Sequence, residues 1–186
     1  MVIIVLVCTG TKYSEWYVNN IIHMIDTYGN LKYDEVKIFR DGEGNVFDKL
    51  QIFKECTSND FYLYFDLDVI IKDDINCLIK EDFTTIFAWW RDKFHTPLNS
   101  SIMAWSGDNS YIYYDFIEQY DYKRVKYWRG IDEYLYKETY CDLYEKVCWS
   151  YAYNQDRLHY PVCLLNHGYG NQIKSIEWAK RYLLLE

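Results

Sequence analysis

Val2–Val7 is an unbroken run of six apolar residues, five of them β-branched. A run of that kind is buried on both faces and predicts a central strand. Cys8-Thr9-Gly10-Thr11 then turns the chain, and Ser14 is placed to cap a helix over residues 15–28 that Gly29-Asn30 closes. Residues 34–39 predict a second strand, Asp41-Gly42-Glu43-Gly44-Asn45 a turn, and residues 47–56 a second helix. Phe61-Tyr62-Leu63-Tyr64-Phe65 is again continuously apolar, and Val69-Ile70-Ile71 carries the run on past Asp66-Leu67-Asp68. It reads as one buried strand with two acids at its end.

This strand, helix, strand, helix, strand order predicts an α/β fold with a mainly parallel central sheet flanked by helices. Later positions are less regular. Strands are expected over 85–90, 99–105 and 158–165, and helices over 109–120, 131–137 and 175–185. Residues 140–149 fit a strand or a helix equally. No repeat and no Pro/Gly/Ser-rich linker divides the 186 residues, so one domain is expected.

Composition narrows the function. The formal net charge of -8 argues against nucleic acid, whose phosphates draw basic surfaces. The densest basic cluster, Lys123-Arg124-Val125-Lys126 with Arg129, is short and flanked by Asp121, Asp132 and Glu133. The six cysteines form no CxxC pair and no zinc spacing, which suits a reducing, cytoplasmic setting. No stretch reaches the roughly 18 apolar residues of a membrane span.

Asp66 and Asp68 carry the chemistry. Two carboxylates one residue apart repel unless a cation lies between them. Beyond the carboxyl end of a strand they face the crevice where open α/β sheets bind ligands. Hard oxygen ligands at this spacing suit Mn²⁺ or Mg²⁺ bridging to substrate phosphates.

These residues resemble the GT-A fold glycosyltransferases that use nucleotide sugars, above all the small glycogenin-like and galactosyltransferase-like group. Four segments carry the likeness: 49–53 with 60–71 and 74–78; Leu98-Asn99-Ser100-Ser101-Ile102-Met103; Gly130-Ile131-Asp132-Glu133; and His167-Gly168-Tyr169-Gly170. Ser101 stands where the family has Gly, and the Lys-Pro-Trp expected after His167 is missing. The resemblance implies a nucleotide-binding half over about 1–75 and an acceptor-side half over about 76–186, short for the family. It implies a nucleoside-diphosphate sugar donor, UDP favoured, and a glycan or other hydroxyl acceptor. Residue by residue, Asp66 would meet ribose and metal, Asp68 and His167 would ligate the metal, and Asn99 would lie near the donor sugar. Cys8-Thr9-Gly10 would lie against the base, and Asp132 or Glu133 would face the acceptor hydroxyl.

Two other readings compete. A haloacid-dehalogenase-type phosphatase also places DxD after an apolar strand, with the first Asp as nucleophile. A sugar-binding domain without activity would fit Ser101 and the missing Lys-Pro-Trp. Among remaining residues, His23 and His159 read as structural, and His95 as a possible phosphate contact. One of Trp89 and Trp90 is free to stack on a sugar, because neighbours on a strand face opposite ways. Arg91 would pair with a diphosphate or with Asp92.

Overall fold

The computed structural model describes residues 1–92, 94–154 and 159–184. β1 (Val2–Val7) lies between β2 (Glu35–Phe39) and β3 (Phe61–Phe65), parallel to both. The six-stranded sheet continues through β6 (Leu98–Ser106), β5 (Thr84–Phe87) and β7 (Asp142–Tyr144), giving the order β2-β1-β3-β6-β5-β7. Only β6 runs against the rest, pairing antiparallel with both β3 and β5. The mainly parallel sheet expected from the sequence is therefore present. A smaller sheet joins β4 (Val69–Ile71), β9 (Val162–Leu164) and β8 (Cys148–Ser150) in the order β4-β9-β8.

Side chains alternate across a strand, and β1 divides its residues accordingly. Ile4 and Leu6 pack with Leu63 and Phe65 against α1 (Glu15–Tyr28), which buries Val18, Ile21, Met24 and Ile25. Ile3 and Val5 face the other way, toward Phe53, Trp105 and the helices α3 (Tyr111–Glu118) and α5 (Ile131–Glu138). Both faces of β1 are thus covered, which is why its sequence has no polar position.

Several elements differ from expectation. The apolar run 61–71 is two strands, because the chain leaves the large sheet at Asp66 and enters the small one at Val69. The expected helix 47–56 is a 3-10 turn over Val46–Leu50 leading into the short α2 (Gln51–Glu55). Its start is fixed by a capping box, in which Asn45 and Asp48 each bond the other's backbone N–H. The region 109–120 is α3 followed by a separate α4 (Tyr120–Lys126). The undecided region 140–149 contributes β7 and the start of β8, with residues 145–147 connecting them. Residues 175–185 form no helix of their own among the described residues: 3-10 turns cover Tyr169–Ser175 and Lys180–Tyr182. There Ile173, Ile176, Ala179 and Tyr182 are buried in the main core and linked in turn by three-residue backbone hydrogen bonds, Ile176 to Ile173, Ala179 to Ile176 and Tyr182 to Ala179. Leu158 and Leu185 lie outside the described residues.

The termini of the core elements are tied by single bonds. Buried Asn20 on α1 accepts the Leu184 N–H at 2.8 Å, which fastens the end of the described chain to the first helix. No helix among the described residues is long and apolar enough to cross a membrane.

Leu63 is fully buried on β3, whereas Leu143 on the edge strand β7 is 39% exposed. Leu63→Ala is expected to cost about 2–5 kcal/mol through the cavity it leaves, and Leu143→Ala under about 1 kcal/mol. Urea unfolding of the two variants beside the parent protein measures both.

Candidate active site

The carboxyl ends of β1 and β3 are adjacent, since Leu6 pairs with Phe65. The chain runs from β1 to β2 on one side and to β3 on the other, so a crevice opens where the strand order reverses. A cleft of about 200 Å³ lies there, floored by Val7, Tyr64, Asp66, Leu67 and Asp68. Lys12, Tyr13 and Thr9 from the loop after β1 form one wall, and Gly44, Asn45, Val46 and Lys49 form another.

The second wall is built by Asp48. Its Oδ2 accepts the Thr9 hydroxyl at 2.7 Å and the N–H groups of Gly44 and Asn45 at 2.7 and 3.1 Å. The loop 41–45, which reads in the sequence as a plain acidic turn, is thereby folded onto the loop after β1. Gly10 and Gly44 meet backbone to backbone, both at positive φ, and a Cβ on Gly10 would come within 2.7 Å of the Gly44 Cα. Only glycine fits both the space and the dihedral.

The two acids of the floor have opposite surroundings. Asp66 Oδ1 is paired with Lys49 Nζ at 2.7 Å and accepts the Tyr64 hydroxyl at 2.6 Å. Burial works to raise its pKa, but the Lys49 charge and the bonds from Lys49, Tyr64 and Ser101 outweigh burial and hold it below the ordinary carboxylate range. Asp68 has no such cation among the described residues. Tyr13 donates to its Oδ2 at 2.7 Å, but burial and then the charge of Asp66 push its pKa up. The polypeptide behind Asp68 is close-packed: a Cβ on Gly170 would lie 2.4 Å from the Asp68 Cβ. Tyr17 donates to the Gly170 carbonyl at 3.1 Å, holding that backbone in place.

A polar chain leads away from Asp66. Between β5 and β6 the register shifts, so that Thr85 pairs with Met103 while the next residue, Ile86, pairs with Asn99. Ser100, Ser101 and Ile102 are left over as a bulge, steadied by the Thr85 hydroxyl, which donates to the carbonyls of Asn99 and Ile102. Bulges of this kind re-aim side chains. Here the bulge turns Ser101 O toward the Asp66 N–H (2.9 Å) and Ser100 toward Lys49, whose Nζ lies 3.2 Å from the Ser100 hydroxyl. Ser100 in turn donates to Asp132 Oδ1 through its hydroxyl at 2.6 Å and its N–H at 2.9 Å. Asp132 Oδ2 accepts Arg91 at 2.8 Å and Asn99 Nδ2 at 3.4 Å. Asp66, Lys49, Ser100, Asp132 and Arg91 thus form one hydrogen-bonded line.

The residues singled out in the sequence fall into three groups. Asp66, Asp68 and Thr9 line the cleft, while Asn99 and Asp132 join it through Ser100 and Lys49. Cys8 and Gly10 shape the loop from behind: the Cys8 N–H bonds Phe39 O at 2.8 Å and burial raises the thiol pKa. Glu133 and His167 are not among the residues that line this cleft. The Glu133 side chain is only 8% exposed and is bound to Lys137 at 2.6 Å. The exposed His167, at φ 58°, sits edge-on to Tyr153 and lines a separate open groove with Tyr169 and Gln172. Among the described residues, no three His, Cys, Asp or Glu side chains are grouped to hold a metal. Arg91 is paired with Asp132, not with Asp92.

Sequence reasoning passed over Lys49, Tyr13 and Ser100. Lys49 stands in the segment that carries the family likeness, so its position was available. Its role was not, since a lysine before a helix is ordinarily solvated. Ser100 too stands in a segment of the likeness, but its partner Asp132 is 32 residues away, and Tyr13 gave no signal, its partner Asp68 being 55 residues away.

No family model and no curated protein matches this chain by sequence. Solved structures do match by shape. A glycosyltransferase involved in glycosylation of the major capsid of PBCV-1 superposes with a TM-score of 0.70 at 10% identity, over 97% of this chain and 98% of its own. The glycosyltransferase GlyE of Streptococcus pneumoniae TIGR4 gives 0.65 at 12%, over 98% of this chain and 61% of its own. The galactosyltransferase LgtC, solved with donor and acceptor sugar analogs, gives 0.62 at 10%, over 99% and 97%. The fold of this chain is that of the GT-A glycosyltransferases.

The two acids predict opposite effects on stability. Asp66, with its pKa depressed, contributes stability that is present above the ordinary carboxylate range and lost as pH falls through its lowered folded value. Asp66→Asn is therefore expected to destabilise at pH 7, by an amount that shrinks toward low pH. Asp68, with its pKa raised, favours the fold when protonated and opposes it once ionised. Asp68→Asn is expected to stabilise at pH 7, and the gain should vanish below the ordinary carboxylate range. Thermal unfolding midpoints between pH 3 and pH 8, a window spanning about 4, the usual Asp value, test both signs.

Proposed function

We propose that this protein transfers a sugar from a nucleoside-diphosphate sugar to a hydroxyl of a glycan or other acceptor. The observation that carries the reading is the Asp66–Asp68 pair at the joined carboxyl ends of β1 and β3, with Lys49 and Lys12 beside it. Together they offer anionic ligands for a cation and cationic groups for a diphosphate in one cleft, within a fold shared with proteins that move sugars.

The donor set fits a divalent cation of the Mn²⁺ or Mg²⁺ kind. Asp68 is a carboxylate whose charge is penalised by burial and by Asp66 and, among the described residues, is met by no cation of its own within hydrogen-bonding distance. Two carboxylates suffice for a metal that takes its remaining ligands from phosphate and water. Asp68 would hold the cation with Asp66 beside it, and His167, where it now lies, would not be a ligand. When bound, the metal neutralises charge gathering on the departing diphosphate.

The chain's own groups supply the rest. Thr9 and Tyr13 on one wall and Asn45 on the other take the nucleoside, with UDP favoured by the family likeness. Lys12 and Lys49 face the diphosphate. The anomeric carbon loses its bond to the diphosphate, which leaves with the electron pair. The acceptor oxygen bonds that carbon, and the acceptor's proton passes to the diphosphate. Both Asp132 oxygens already accept hydrogen bonds from Arg91, Asn99 and Ser100, so Asp132 positions those groups rather than taking the proton. Buried Glu133 stays outside the reaction. The six free cysteines accord with a reducing, cytoplasmic setting.

Titration of Mn²⁺ and UDP-glucose or UDP-galactose, followed by calorimetry and by slow release of UDP, tests the proposal. Binding should need the metal, vanish in Asp68→Ala and weaken at least tenfold in Lys49→Met, about 1.4 kcal/mol or more for one charged contact. Nucleotide-independent hydrolysis of p-nitrophenyl phosphate would overturn it, as would metal-independent sugar binding that survives Asp68→Ala.

A further inference from the structure

Arg91 stands in the loop after β5 and is not among the residues that line the Asp66–Asp68 cleft. Its guanidinium is committed elsewhere. Nη1 donates to the carbonyls of Leu98 and Thr96 at 2.6 and 3.1 Å, at the start of β6 and just before it. Nη2 donates to Asp132 Oδ2 at 2.8 Å, in the first turn of α5. The Arg91 side chain is 19% exposed and that of Asp132 18%, so the pair is largely withdrawn from water. Among the described residues, no other cation lies within salt-bridge distance of Asp132. Asp132 is in turn one hydroxyl away from Lys49. Ser100 donates that hydroxyl to Asp132 Oδ1 at 2.6 Å, and the same oxygen lies 3.2 Å from Lys49 Nζ, which is held 2.7 Å from Asp66 Oδ1. Lys49 therefore has an anion on each side: Asp66 directly, and Asp132 through Ser100. Which of them holds the ammonium depends on how far the charge of Asp132 is already met. Arg91 meets it, and Lys49 rests on Asp66.

We infer that Arg91 is a positioning residue of this cleft: by holding Asp132 it keeps Lys49 on Asp66, and so sets the balance between cation and diphosphate affinity there. The inference rests on the sugar-transfer reading and adds to it a residue outside the cleft that tunes the site. Without the guanidinium, Asp132 is a largely buried carboxylate with no cation beside it, a costly state. Lys49 is the next cation along the line. Attraction between charges falls only as the inverse of distance and is weakly screened in a partly buried site, so the ammonium moves toward Ser100 and Asp132. Two effects of opposite sign follow. Asp66 and Asp68, both now poorly compensated, attract a divalent cation more strongly. The diphosphate loses an ammonium from its side of the cleft and is held less strongly. A loop 91–98 that had merely come loose would weaken both ligands. A guanidinium acting only as a distant charge would have the same effect whether or not Lys49 were present.

The test uses the whole chain. Mn²⁺ affinity is read from the electron paramagnetic resonance of the free ion, and UDP affinity by calorimetry at saturating Mn²⁺. Arg91→Met should tighten Mn²⁺ about 3- to 10-fold and weaken UDP by a similar factor, the scale of one partly screened charge contact. Arg91→Gln keeps a donor for Asp132 without the charge, and gives the same pair of shifts should Arg91→Met fail to fold. Arg91→Lys restores the charge and should return both affinities toward the parent values, as should Arg91→Met joined to Asp132→Asn. Added to Lys49→Met, Arg91→Met should change neither affinity further, because the residue through which it acts is gone. Both affinities moving in the same direction, or neither moving, would overturn the role of Arg91 alone. So would shifts of undiminished size in the Lys49→Met background. Failure of the parent protein to bind UDP with Mn²⁺ would instead overturn the sugar-transfer reading beneath it.

Discussion

Two negative charges one residue apart, at the end of a strand buried on both sides, set the terms for everything around them. The structure neutralises one and leaves the other. Lys49 and Tyr64 stabilise Asp66 as an anion, while Asp68 receives a single neutral hydroxyl from Tyr13. An ionised carboxylate in that position stores unfavourable charge interaction that a bound cation would relieve. Stability given up at a site in this way is a common cost of function.

The neutralised half of the pair also organises the interior. Lys49 reaches Asp66 from the 3-10 turn that precedes α2. It can do so only because Asp48 gathers the loop 41–45 against the loop after β1 and so fixes where that turn begins. On its other side Lys49 meets the β6 bulge, and the bulge delivers Ser100 to Asp132. Charge balance at Asp66, the glycine contact between Gly10 and Gly44, and the register shift of β6 are therefore one construction. Its parts sit in the loops after β1 and β2, at the end of β3 and in the bulge of β6, on a sheet whose central strands are buried.

The same construction accounts for the asymmetry of the molecule. The side of the sheet that carries α1 has the larger core, closed by the second sheet and the 3-10 turns at its end. The opposite side is covered by α2, α3 and α5 around Trp105, with Tyr113 and Tyr120 partly open at its margin. The aromatic excess divides between these jobs. Trp105, Trp149, Tyr64, Tyr127 and Tyr134 are fully buried, whereas Phe87, Tyr136, Trp128 and Tyr140 face solvent.

The sequence by itself determined the elements that depend on neighbours in the chain. Continuous apolar runs named β1 and β3, the signals of Ser14 and Gly29-Asn30 at its ends named α1, and the spacing of Asp66 and Asp68 after β3 named the floor of the site. Asp132 and Asn99 were legible too, through the family likeness of short segments. What needed the tertiary structure was every feature set by a partner far along the chain. The break between β3 and β4 follows from pairing with β9, which no local pattern reports. The end of the described chain reads as a helix from its composition but is held in 3-10 turns by burial. Lys49 and Tyr13 acquire their roles only when Asp66 and Asp68 arrive beside them. Packing alone decides that Glu133 lies inside the protein and that His167 lines another groove. Local hydrogen bonding and side-chain periodicity write themselves into sequence. Long-range charge pairing and strand register do not, because they are decided by which distant segments the core brings together.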